Sequence, residues 1–188
     1  MREIDVRDAV RSGPLRKYLS DDRSRVIDEL AICLGEARVD IAVVNGKLAG
    51  YEIKSKNDTL IRLPRQAEIY GRVFDEMTLV VDASHNDASL KIIPDSWGVI
   101  EVRQAADQST KLKKLRAPRA TADQDPYAIA QLLWKDEAVA VLMAHRKGPV
   151  PSSKPRTWLW EALASELPLK KLKSEVRRIL KVREDWRV

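Results

Sequence analysis

Between residues 40 and 70 the chain places five side chains of the kinds that handle a phosphate and its counter-ion: Asp40, Glu52, Lys54, Gln66 and Tyr70. Glu52 and Lys54 break into "LAGYEIK", an otherwise apolar, strand-like run. A charge inside such a run costs free energy unless it is paired, hydrated or bound to a metal. Two apart on a strand, Glu52 and Lys54 share a face. Four apart on a helix, Gln66 and Tyr70 do too. Either the strand is an exposed edge, or the space these residues face holds a ligand. Glu29 is a further carboxylate for such a site, and Glu36 competes for its role.

The elements that must position these residues can be read from the pattern. Residues 20–34 suggest a helix, with Ser20 as its cap, Asp21 and Asp22 at its positive end, and Gly35 as its stop. Val26, Leu30 and Cys33 or Leu34 recur at helical spacing. Two strand-like runs then flank Asn45-Gly46, a strong hairpin signal. A second helix is expected over residues 59–74, with Pro64 near its start or kinking it. Residues 77–82, 90–94 and 98–103 suggest three short strands. Residues 104–125 look like a polar linker or surface loop, and helices follow from Pro126. The fold class expected is α/β, a mixed sheet flanked by helices with a C-terminal helical extension. Its parts would be a core over residues 1–103, the linker, and a basic helical subdomain over 126–188.

Composition narrows the function. The chain has 188 residues, 44% hydrophobic and 33% charged, which suits a globular protein. No run approaches the roughly 20 apolar residues of a membrane span, and the first residues show no signal-peptide core. A cytoplasmic protein with no membrane partner is expected. The single cysteine, Cys33, excludes an internal disulfide and any four-cysteine metal site. It is expected in the core, His85 and His145 at the surface, and Trp158 and Trp160 packing helices. The net charge of +6 is uneven: 15 Lys/Arg against 18 Asp/Glu up to residue 102, then 19 against 10. An acidic body with a basic tail suggests an anionic partner such as nucleic acid. In the last helical run Lys170, Lys173, Arg177 and Lys181 form a basic stripe beside the apolar Leu169, Leu172, Val176 and Leu180.

An acidic residue, then Asp, then Glu-x-Lys on adjacent strands, followed by Gln-x-x-x-Tyr on the next helix, resembles the PD-(D/E)xK nuclease superfamily in its RecB-like branch. The resemblance runs from about Val26 to Arg103. It is closer still to small bacterial proteins built on the same core, through "ARVDIAVVNGKLAGYEIKSKNDTLIRLPRQAEIYGRVFDEMTLVVD". It implies a restriction-endonuclease-like sheet and a Mg²⁺-dependent deoxyribonuclease, with Mn²⁺ as a substitute. Asp40, Glu52 and the carbonyl of Ile53 would hold the metal, and Glu29 would complete the site directly or through water. Lys54 would position the attacking water and stabilise charge on the phosphate. Gln66 and Tyr70 would orient the substrate or a carboxylate. Lys56, Arg62 and Arg65 would contact nucleic acid, and the last helix would grip backbone phosphates. The alternatives are an inactive nucleic-acid-binding or adaptor protein on this fold, and a C-terminal module for a protein partner in a repair, restriction or phage-related assembly.

One geometric condition follows. A two-residue Asn45-Gly46 turn would set Asp40 opposite Tyr51 and put Asp40 and Glu52 on opposite faces. A shared site therefore needs a one-residue offset, from a three-residue loop around Gly46 or a bulge at Gly50.

Overall fold

The computed structural model describes residues 2–122, 124–151 and 153–184; the end of the last expected helix, Asp185 and Trp186, lies outside these. Among the described residues, six strands form one sheet in chain order: β1 (Arg25–Ile32), β2 (Ala37–Asn45), β3 (Lys47–Lys54), β4 (Glu76–Asp82), β5 (Gly98–Gln104) and β6 (Thr110–Arg116). The β3–β4 and β4–β5 pairs are parallel and the others antiparallel. Helices α1 (Glu3–Ser12) and α2 (Arg16–Leu19) lie on one side of the sheet. There Val6, Val10 and Leu15 pack with Ile41, Val43, Ile53 and Val80. On the other side lie α3 (Leu63–Gly71), the short α4 (Asn86–Leu90), and α5 (Pro126–Ala130), α6 (Lys135–His145), α7 (Arg156–Glu166) and α8 (Leu169–Val182). Leu159, Leu172 and Val176 of the last helices share one apolar cluster with Ala42, Leu48 and Leu79 of the sheet. The C-terminal helices thus build one core with the sheet. No helix among the described residues is long and apolar enough to cross a membrane.

Four expected elements differ. Residues 20–34 are not a helix. Asp21 instead closes a turn, accepting from Arg23 N and Ser24 Oγ, and residues 25–32 pair with β2 as strand β1. Asp28 and Glu29 are both exposed and break the alternation of buried residues between Ile27 and Leu30. That break is what imitates helical spacing. Residues 90–94 form the end of α4 and a turn instead of a strand, with Ile92 and Ile93 N–H groups on the Ser89 carbonyl. Because β4 and β5 are parallel, the chain between them must leave the sheet to cross over. The expected linker contains β6, an edge strand whose exposed lysines hide its period. Charged side chains of this kind also keep an edge from pairing with another chain. The expected helix over residues 59–74 is shorter, with Pro64 in its first turn.

The hairpin meets the geometric condition. Asn45 pairs with Lys47 and Val44 with Leu48 around Gly46, whose φ of 63° suits a residue without Cβ. The offset therefore arises at the turn. Gly50 stays in the regular ladder opposite Ala42, and a Cβ there would collide with the Met77 sulfur. Its role is close packing.

Candidate active site

Asp40 occupies a place where two ladders break. Pairing of β2 with β3 stops at Ile41–Tyr51. Beyond it Asp40 Oδ2 accepts the Ile53 N–H at 2.5 Å, a side chain satisfying a donor that a regular ladder would give to backbone. On the other edge of β2, Asp28 pairs with Ile41 and Leu30 with Val39, leaving Glu29 between them at a φ of 54°. A left-handed conformation costs a residue with Cβ roughly 1–2 kcal/mol, and such strain collects at functional sites. The register and the parted strands let Asp40 and Glu52 open onto one cleft of about 650 Å³, shared with Lys54 and Gln66.

Glu52 is the centre of the polar network. Its side chain is 2% exposed and that of Lys54 6%, and Lys54 Nζ donates to Glu52 Oε1 at 2.6 Å. Gln66 Nε2 donates to the same oxygen at 2.7 Å. The Tyr70 hydroxyl is 2.7 Å from Glu52 Oε2 and 2.8 Å from the Arg38 carbonyl, with one proton to give. Burial, and next the Glu52 charge, push the Tyr70 hydroxyl well above its ordinary range, so it stays a donor. Three donors on one carboxylate leave about one of its lone-pair sites open. Gln66 must turn its amide nitrogen toward Glu52, which leaves Gln66 Oε1 buried without a protein partner. Asp40 is pushed up to about 7 by burial and then by the Glu52 charge, against the Ile53 N–H and the positive charges of Lys54 and Arg7. Asp40 Oδ1, the open site on Glu52 and Gln66 Oε1 are all hard oxygen donors of the sort that suits magnesium or calcium.

The model of the family described as bacteriophage P4 protein cII matches residues 2–186. The chain belongs to the cII family. A curated relative, protein cII of Enterobacteria phage P4, is 28% identical over 183 residues, covering 97% of this chain and 68% of the relative. A solved structure, Pyrococcus furiosus SfsA in complex with Ca²⁺, is similar at 14% identity and a TM-score of 0.34, over 56% of this chain and 58% of SfsA.

The remaining site residues of this cII-family chain are placed as follows. Ile53 lines the cleft and gives its N–H to Asp40. Glu29 also lines it, but both its oxygens are held by arginines, Arg7 Nη2 at 2.5 Å and Arg38 Nε at 2.8 Å. Glu36 pairs with Arg65 at 2.8 Å on the rim, and Arg65 also holds Glu68. Arg62 is an exposed rim residue. Lys56 is exposed, and its carbonyl meets His85 Nε2. Cys33 and Trp160 are buried, the latter with its N–H on the Leu133 carbonyl. Arg7 was not foreseen, since 33 residues separate it from Asp40 and no local pattern links them. Asp58 was also missed; it holds the loop after Lys54 by accepting from Ser55 N and Oγ.

The basic stripe of α8 divides. Lys173 is bound to Asp75 and to Gln124 Oε1, and Arg177 lies 3.6 Å from Asp75. Asp75 also accepts the Leu48 N–H at 2.7 Å, so these two cations tie α8 to the hairpin instead of lying open to phosphates. Lys170 is exposed and Lys181 half-buried. Lys173→Met should cost about 1.5–3 kcal/mol in urea unfolding, the range for a hydrogen bond to a charged group. Lys170→Gln with Lys181→Gln should change stability by under about 0.5 kcal/mol. Equal losses in the two variants would contradict this division.

Proposed function

We propose that this chain is a divalent-metal-dependent nuclease, built on the PD-(D/E)xK core, that hydrolyses phosphodiester bonds in DNA. One observation carries the reading: Lys54, Gln66 and Tyr70, from β3 and α3, meet around the Glu52 carboxylate at the edge of one cleft, which Asp40 of β2 also lines. Asp40 and Glu52, with the Ile53 carbonyl, would hold Mg²⁺ or Mn²⁺. When bound, the metal would polarise the phosphate and lower the pKa of a water. Lys54, fixed by its buried partner, keeps an ammonium at the cleft where negative charge grows on phosphate. Gln66 and Tyr70 hold Glu52 in one orientation. Arg62, Arg65 and Lys56 supply rim charges for the backbone, a contact without sequence preference.

A second reading has an observation of its own. Arg7 already brings a positive charge to Glu29 and Asp40, as expected of a nucleic-acid-binding or adaptor protein that has given up the metal. Calorimetric titration with Mg²⁺ separates the two. The nuclease reading expects saturable binding that Asp40→Asn abolishes; the adaptor reading expects none, with DNA affinity indifferent to metal.

A further inference from the structure

We propose that Arg7 is a built-in rival of the divalent ion, a guanidinium that shares Asp40 with the metal and sets how tightly the cleft binds it. This rests on the metal-site reading above. Glu3, Glu29 and Asp40 each present an oxygen within 4.8 Å of the others, a spacing that would suit a cation at their centre. That place is taken by the protein itself. Arg7 Nη2 lies 3.0 Å from Glu3 Oε1, 2.5 Å from Glu29 Oε1 and 3.8 Å from Asp40 Oδ1. Its Nη1 donates to the Asp40 carbonyl at 3.0 Å and lies 3.5 Å from Asp28 Oδ1.

The contacts are graded in a way that matters. The guanidinium holds Glu3 and Glu29 closely and the Asp40 carboxylate at the longest of these distances. Asp40 Oδ2 is committed to the Ile53 N–H, so Oδ1 is the atom left for an ion. An ion taking Oδ1 breaks only the weakest of the Arg7 contacts, yet it must approach a fixed positive charge. Val6 and Val10 bury α1 against the sheet, which anchors the Arg7 backbone and leaves only its side chain to yield. Arg38, on the far oxygen of Glu29 and 66% exposed, adds the same charge to the cluster but makes no ion pair with Asp40, as Arg7 does. It is the control.

The test measures metal binding alone, by electron paramagnetic resonance of free Mn²⁺ titrated into the full chain. Arg7→Gln should bind Mn²⁺ roughly tenfold or more tightly than the parent, because a nearby like charge is removed from a poorly screened site. Arg38→Gln should stay within about threefold of the parent, since its charge is exposed and screened. Arg7→Lys keeps the charge but not the fork, guards against a folding defect, and should fall between. If all variants bind and Arg7→Gln is no tighter than the parent or than Arg38→Gln, the rivalry is overturned while the metal site stands. If no variant binds Mn²⁺, the metal site and the rivalry fall together.

Discussion

Lys54→Ala is expected to lower stability by about 3–5 kcal/mol in urea unfolding, the range for removing one partner of a buried ion pair. The expectation follows from the exposure of the two side chains, 6% for Lys54 and 2% for Glu52. Without Lys54, Gln66 and Tyr70 still donate to Glu52, but no cation stands beside a carboxylate that water barely reaches. Replacing both members, as Glu52→Gln with Lys54→Met, should recover most of the loss, because neither charge is then stranded. A loss under about 1 kcal/mol for Lys54→Ala would mean that the pair is solvated. Any fall in activity in this variant has to be read against its stability.

Asp40→Asn is expected to act in the opposite sense. With its folded pKa near 7 against an ordinary value of 3.8, Asp40 keeps in the folded chain a proton that the unfolded chain has released. Its contribution is therefore fully present below about pH 4 and is lost as pH rises to about 7. Above that the ionised carboxylate opposes folding, at a cost on the order of a few kcal/mol without metal. The asparagine carbonyl can still accept the Ile53 N–H. In chelator at pH 8 the variant should melt above the parent, while at pH 4 the two should melt alike. Added Mg²⁺ should raise the midpoint of the parent and leave the variant unmoved. A variant less stable than the parent at pH 8 would show that Asp40 is ionised at little cost and that the crowding of Asp40 and Glu52 is relieved some other way.

Much of this site was legible in the chain because it is local. Glu52 and Lys54 reach one face through strand period, Gln66 and Tyr70 through helix period, and Asp40 reaches the cleft because the loop around Gly46 shifts the register by one. What was not legible depends on partners distant in sequence. Strand β1 looked helical because Asp28 and Glu29 interrupt its alternation, and what decides the matter is its ladder with β2. Strand β6 looked like a linker because an edge needs little apolar surface. Lys173 and Arg177 share the period of the basic stripe, and only the fold brings Asp75 to them between α8 and the hairpin. Arg7 carries no local mark at all. Its place is set by α1 packing on the sheet, and it answers an acidic cluster drawn from three separate elements.

The most direct test of the central claim is cleavage of end-labelled and circular DNAs, single- and double-stranded, with RNA counterparts, by the full chain in Mg²⁺ or Mn²⁺. Asp40→Asn is the paired control: it is expected to melt no lower than the parent in chelator at pH 8, and its melting point in the assay buffer separates inactivity from unfolding. The account predicts products from DNA with the parent only when metal is present, and a rate lower by at least roughly 100-fold with Asp40→Asn. DNA bound but left uncut by the parent, or cut equally well by Asp40→Asn, would contradict it.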